Sequence, residues 1–114
     1  MTGPTELRHH PRYRARFRSF FSSPRYWQAG EGELRDLSVR GCRISCPTPL
    51  SKGMKLELCI CLIEHDQEWP LVIERALVCW ADPNEFGVEF LKLSDDAPDR
   101  IGRCIRTLEV LCPT

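Results

Sequence analysis

Met54-Lys55-Leu56-Glu57-Leu58-Cys59-Ile60-Cys61-Leu62 alternates without a break, with Met54, Leu56, Leu58, Ile60 and Leu62 on one side and Lys55, Glu57, Cys59 and Cys61 on the other. A period of two is the mark of a strand with one buried face, so this stretch predicts a core strand. Downstream, Trp69 to Trp80 (WPLVIERALVCW) continues in the same manner, and Asp82-Pro83-Asn84-Glu85 turns the chain into Phe86 to Leu91 (FGVEFL). Those two segments read as a hairpin. Upstream, Pro47, Pro49 and Ser51-Lys52-Gly53 form a turn, preceded by a strand from Gly41 through Cys46 and a short one from Glu33 to Leu37. Ser38-Val39-Arg40-Gly41 lies between them, short enough for a hairpin in which Gly41 can take a positive φ. Ser22 to Gly32 is turn-rich, and before it Arg14 to Phe21 alternates again, with Ala15, Phe17, Ser19 and Phe21 opposed to Arg14, Arg16, Arg18 and Phe20.

The period changes only at the end of the chain. Ile101, Cys104, Ile105, Leu108, Leu111 and Cys112 recur at three and four, and Ser94, Asp95 and Asp96 offer caps and acids at the positive end of the helix dipole. A mostly β fold follows: six antiparallel strands and one C-terminal amphipathic α-helix that closes a mouth of the sheet structure or lies against it. Trp80, Phe86 and Phe90 are expected in its core.

Bulk properties narrow the function classes. At 114 residues, 42% hydrophobic and 28% charged, the chain has the size and composition of one globular domain. No run of 18 or more apolar residues occurs, and Met1 to Glu6 lacks a basic segment leading into an apolar one, so the expectation is a cytoplasmic protein without membrane insertion. Seven cysteines, an odd number at irregular spacing, suggest reduced thiols packed as small hydrophobes. The net charge of zero conceals an asymmetry: residues 1–27 hold six arginines against Glu6 alone, giving +5, and the remainder carries −5. A basic arm on an acidic body calls for an anionic ligand, or for docking of the arm on its own body. Met1 to Pro11, with Gly3, Pro4 and Pro11, reads as a mobile lead-in, so residues 1–13 form the expected arm and residues 14–114 the folded domain.

Two local features carry the chemistry: Arg8-His9-His10-Pro11-Arg12 and, 24 residues after Arg12, Asp36-Leu37-Ser38-Val39-Arg40-Gly41. Together they resemble the RxxxR and DxSxxG motifs of the PilZ family, receptors for the bacterial second messenger cyclic di-GMP. The late segments Ala76 to Trp80 and Phe86 to Leu91 look like the family's paired strands, so the resemblance runs from Leu7 to about Leu111. It implies a PilZ-type β-barrel, binding without turnover, and cyclic di-GMP as ligand. It further implies an unidentified protein partner in motility, exopolysaccharide or biofilm control. By the same resemblance Arg8, Arg12, Asp36, Ser38 and Gly41 bind the ligand, with Leu7, His9, Tyr13 and Arg40 as secondary candidates.

Those residue types suit that ligand. A guanidinium can fork onto a phosphate, bind the O6/N7 edge of guanine or stack on its face. Pro11 favours extended backbone around it, so Arg8 and Arg12 can both reach out from an arm. An ionised Asp36 is acceptor-only and complements the guanine N1–H and N2–H₂ donors, and Ser38 can donate or accept. Two apart on a strand, Asp36 and Ser38 would share a face, and Gly41 would permit close approach. Leucine at position 7 cannot stack as arginine could, which predicts one ligand per chain.

Other readings stay open at this level. The RxxxR spacing occurs three times, as Arg8/Arg12, Arg12/Arg16 and Arg14/Arg18, so the arm can be a solvated basic tail. Asp36 and Ser38 can be simple turn residues. A nucleic-acid binder could use Arg12 to Arg18 interleaved with Tyr13 and Phe17, although the acidic body disfavours nucleic acid; a PilZ-like adaptor could bind only protein. His9 and His10 with Cys59 and Cys61 make a poor zinc site, because adjacent histidines lie on the arm and CxxC spacing is missing, so no metal or other cofactor is expected. No nucleophile elbow, phosphate-binding glycine loop or local catalytic triad occurs, and the chain is not expected to be an enzyme.

Overall fold

In a computed structural model that describes residues 13–23, 25, 28–48, 50–64 and 67–111, the alternating stretch forms β4 (Lys55–Glu64). Leu56, Leu58, Ile60 and Leu62 are buried on its inner side, while Lys55 and Glu57 face outward. The remaining strands are β1 (Tyr13–Ser23), β2 (Gln28–Leu37), β3 (Gly41–Ser45), β5 (Gln67–Ala81) and β6 (Glu85–Leu93), and α1 (Ala97–Leu111) follows. All neighbours pair antiparallel, and β1 pairs with β4, closing a six-stranded barrel in the order β1-β2-β3-β6-β5-β4. Closure leaves no unpaired edge and gives every strand one face toward a common core. Phe21 and Phe86 meet edge to face inside it, with ring centroids 5.4 Å apart.

β2 is longer than its sequence suggests. It begins at Gln28 rather than Glu33, so Gly30 and Gly32 lie inside a strand instead of ending a turn. Each is small because a side chain passes close by: a Cβ on Gly30 would sit 2.6 Å from the Phe21 ring, and one on Gly32 would sit 2.7 Å from Ile44. Turn composition and a crowded barrel corner share the same letter, and packing decides between them. Bulges between Arg14 and Phe17 in β1 and between Leu34 and Asp36 in β2 interrupt the alternation where these strands bend. The arm's residues 1–12 lie outside the described residues.

The helix sits at one mouth of the barrel. Ala97, Ile101 and Cys104 are buried in the core on its inner stripe. Arg100 fastens the other side, donating to Pro70 O at 2.9 Å, Trp69 O at 3.2 Å and the Glu64 carboxylate at 3.0 Å. Trp69 and Pro70 are the third and fourth residues of β5, so the guanidinium ties α1 to the β4–β5 end of the barrel. No helix among the described residues is long and apolar enough to cross a membrane.

No disulfide joins the described cysteines, and Cys42, Cys46 and Cys104 are packed as small hydrophobes. Burial, with the Glu64 carboxylate nearby, pushes the Cys104 thiol up to about 11. The protonated thiol is therefore favoured in the folded state, and its stabilising contribution is complete below the unfolded thiol's pKa of 9.0 and lost as pH rises toward 11. Thermal melts should show stability falling across that window, and falling less in Cys104→Ala, once the cavity cost seen at neutral pH is subtracted.

Candidate functional site

The β2–β3 hairpin carries Asp36 to Gly41 to the rim of the same mouth. Leu37 pairs with Cys42 and both point inward, so the preceding pair, Asp36 and Arg43, points out. The connection is folded by Ser38. Its amide donates to Gly41 O at 2.9 Å, its hydroxyl oxygen accepts from the amides of Arg40 and Gly41 at 3.2 Å each, and the hydroxyl lies 3.3 Å from Gly41 O. Ser38 is only 3% exposed. It follows the last residue of β2, so the shared face expected for Asp36 and Ser38 is replaced by a division of labour: Ser38 shapes the turn and Asp36 faces the surface.

Gly41 is required for a different reason than a positive φ. Among the described glycines only Gly53 has one, at 95°. A Cβ on Gly41 would instead lie 2.2 Å from Val88 O, because β3 and β6 approach closely there. The Phe90 amide donates to Arg40 O at 2.8 Å and sews the turn to β6.

Around Asp36 the strand register sets a row of paired residues across the barrel wall. Arg14 pairs with Asp36, Asp36 with Arg43, Arg43 with Gly87, and Gly87 with Trp80. Arg43 Nε is 3.0 Å from Asp36 Oδ2, and Arg43 Nη1 is 3.4 Å from Glu85 Oε1. The first contact is electrostatic: the buried Nε–H has no aligned acceptor among the described residues. Arg40, beyond the turn, is 3.7 Å from Glu89 Oε2. Phe86 and Phe90 are core residues as expected, whereas Trp80 is half-buried on the outside, its indole lying over Gly87 where a Cβ would come within 2.2 Å of Nε1.

β1 begins at this place. Tyr13, the first residue of β1, pairs with Leu37, the second residue of the Asp36–Gly41 motif. Arg12 is therefore bonded to a residue that lies against the turn, although 24 residues separate it from Asp36 in sequence. Leu7, Arg8, His9 and Arg12 themselves lie outside the described residues. Sequence reading assigns Arg43 no role, takes Glu85 only as a turn residue and Trp80 as core, and so misses all three as neighbours of this surface. Counting register outward from the Ser38–Gly41 turn would have found Arg43, since it mirrors Asp36 across the hairpin.

The pattern described as PilZ domain matches residues 6–107, spanning both motifs and all six strands. The chain belongs to the PilZ domain family. Solved structures agree on the fold of this PilZ domain. The Bacillus subtilis inhibitor of motility MotI/DgrA superposes with a TM-score of 0.72 at 19% identity, covering 88% of this chain and 50% of that one. The PilZ domain of YcgR from Escherichia coli, solved with c-di-GMP, gives 0.69 at 16% identity, covering 91% and 92%. The MrkH–c-di-GMP complex of K. pneumonia gives 0.65 at 17% identity, covering 94% and 54%. The chain thus spans about half of MotI/DgrA and MrkH and nearly all of the isolated YcgR domain. No curated protein sequence matches it significantly.

Arg43 is placed to orient Asp36. Arg43→Met keeps the aliphatic stem and removes the charge beside the carboxylate. Because the pair is partly exposed, its loss is expected to weaken binding at this site only a few-fold, in keeping with about 1 kcal/mol or less, and to leave the melting temperature nearly unchanged. Calorimetry on the variant, with a melting curve beside it, checks both parts; unchanged affinity would remove the orienting role.

Proposed function

We propose that this PilZ domain is a cytoplasmic receptor that binds one cyclic di-GMP per chain, without chemical turnover. Arg8 and Arg12 bind from the arm, Asp36 from the surface of β2, and Ser38 and Gly41 hold the turn against which the ligand rests. Leu7, His9, Tyr13 and Arg40 border the site. Binding orders the part of the 1–13 arm that precedes β1 against the barrel of residues 14–114, and the ordered arm forms a surface for a protein partner.

The observation that carries this reading is the pairing of Tyr13 with Leu37, which brings the start of β1, and with it the attachment point of Arg12, to the Asp36–Gly41 turn. An acceptor at the barrel surface and guanidiniums on an entering arm are complementary to a ligand with guanine donors and phosphate oxygens. The family match over residues 6–107 supports it, as does the fold shared with a domain solved with c-di-GMP.

Competition tests the ligand class. Labelled cyclic di-GMP bound to the purified chain should be displaced by unlabelled cyclic di-GMP and resist excess GTP, cyclic di-AMP and single-stranded DNA. Displacement by DNA would favour a nucleic-acid binder. Two messenger molecules per chain at saturation would contradict the stoichiometry drawn from Leu7.

A further inference from the structure

Across the barrel from β3 lies β4, and its outer face presents two thiols side by side. Cys59 and Cys61 are two apart on one strand, so they project to the same side at about 6.6 Å of strand rise. Both are partly exposed. Phe20 of β1 and Val72 of β5 are the direct strand partners of Cys59, and Pro70 of β5 is the partner of Cys61. Phe20 is 38% and Val72 52% exposed, so the thiols sit in a shallow apolar furrow open to solvent. Continuing the β1–β4 register from Ser19 and Ile60 sets Arg18 beside Cys61, and its guanidinium stacks 5.8 Å from the Phe20 ring centroid.

We propose that Cys59 and Cys61 form a two-sulfur chelate for a soft monovalent metal ion of the Cu(I) class. Thiolates select soft ions, and an ion that accepts two-coordination is satisfied by a pair of sulfurs alone. The two thiols are neighbours on the outer face of β4, each half-buried between the strands that flank it. No group of three or more His, Cys, Asp or Glu side chains among the described residues forms a metal site, which argues against ions that demand three or four protein ligands. Binding releases both thiol protons and leaves a bis-thiolate complex with one net negative charge, close to the Arg18 guanidinium, which is itself paired with Glu68 Oε1 at 2.7 Å. Phe20 and Val72 flank Cys59 on the two neighbouring strands. The site lies on the opposite side of the barrel from the Asp36–Gly41 turn and stands independently of the proposed messenger binding.

The test is anaerobic titration of the full chain with Cu(I) held in a coloured chelate. One equivalent should be withdrawn by the wild-type protein. Cys59→Ser and Cys61→Ser should each weaken binding more than about 100-fold, since loss of an outer partner alone costs a bound metal up to about 100-fold. Cys79→Ser, on another part of the surface, should withdraw as much as wild type. Melting curves of the serine variants should match wild type, because both thiols lie outside the core. No withdrawal by the wild-type chain, or withdrawal that persists in Cys59→Ser/Cys61→Ser, would overturn the proposal.

Discussion

Gly41→Ala is expected to destabilise the barrel by about 3 kcal/mol, the upper end of the usual cost of overpacking, because the atom it meets cannot move aside. The added methyl would meet Val88 O at 2.2 Å, a backbone atom of β6 within the β3–β6 ladder. Relief requires the two strands to separate, and the hydrogen bond from the Phe90 amide to Arg40 O lies beside the clash. Gly53→Ala is the natural comparison. Gly53 has a φ of 95° and open space around it, so alanine there pays only for backbone conformation, about 1 to 2 kcal/mol. Urea unfolding of both variants ranks the two effects; a larger loss at Gly53 would show that close strand approach is not what position 41 demands. Because the Gly41 amide also donates to Ser38 Oγ, the variant should bind ligand more weakly even where it remains folded.

Arg12→Ala is expected to weaken cyclic di-GMP binding by an order of magnitude or more, and Arg8→Ala likewise. A charge-assisted hydrogen bond is worth roughly 1.5 to 3 kcal/mol, and a forked guanidinium makes more than one. Lysine should rescue Arg12→Ala only partly, since it keeps the charge without the fork or the planar face. Mutations within one binding surface act mainly through dissociation, so on the proposed reading most of the loss should appear in the dissociation rate. Calorimetry with stopped-flow measurement separates these contributions. Unchanged affinity in both alanine variants would leave the arm as a solvated basic tail.

The strands were legible where alternation was unbroken. Met54 to Leu62 reads directly as the inner and outer faces of β4, and the same logic places Phe86 and Phe90 in the core. It failed where the barrel bends. Gly30 and Gly32 resemble turn residues because the sequence does not reveal that Phe21 and Ile44 pass over them. Trp80 resembles core because an aromatic residue in an apolar run can be buried or can cover a glycine on the neighbouring strand, and only the register decides. In the site, Asp36, Ser38 and Gly41 were recognisable as a motif, but the roles of Ser38 and Gly41 required the hydrogen bonds of the turn and the approach of β6. Arg43 belongs to no motif; its relation to Asp36 is a property of hairpin register.

Motif and geometry converge on Asp36, whose outward position is set by the inward pair Leu37 and Cys42 and whose carboxylate is held by Arg43. The most direct measurement is a calorimetric titration of the purified chain and of Asp36→Ala with cyclic di-GMP. Saturable binding of one molecule per chain in the wild type, weakened at least about tenfold in the variant, is predicted from the loss of a charged acceptor. Absence of binding by the wild-type chain, or equal affinity in the two proteins, would contradict the assignment of this surface as the messenger site.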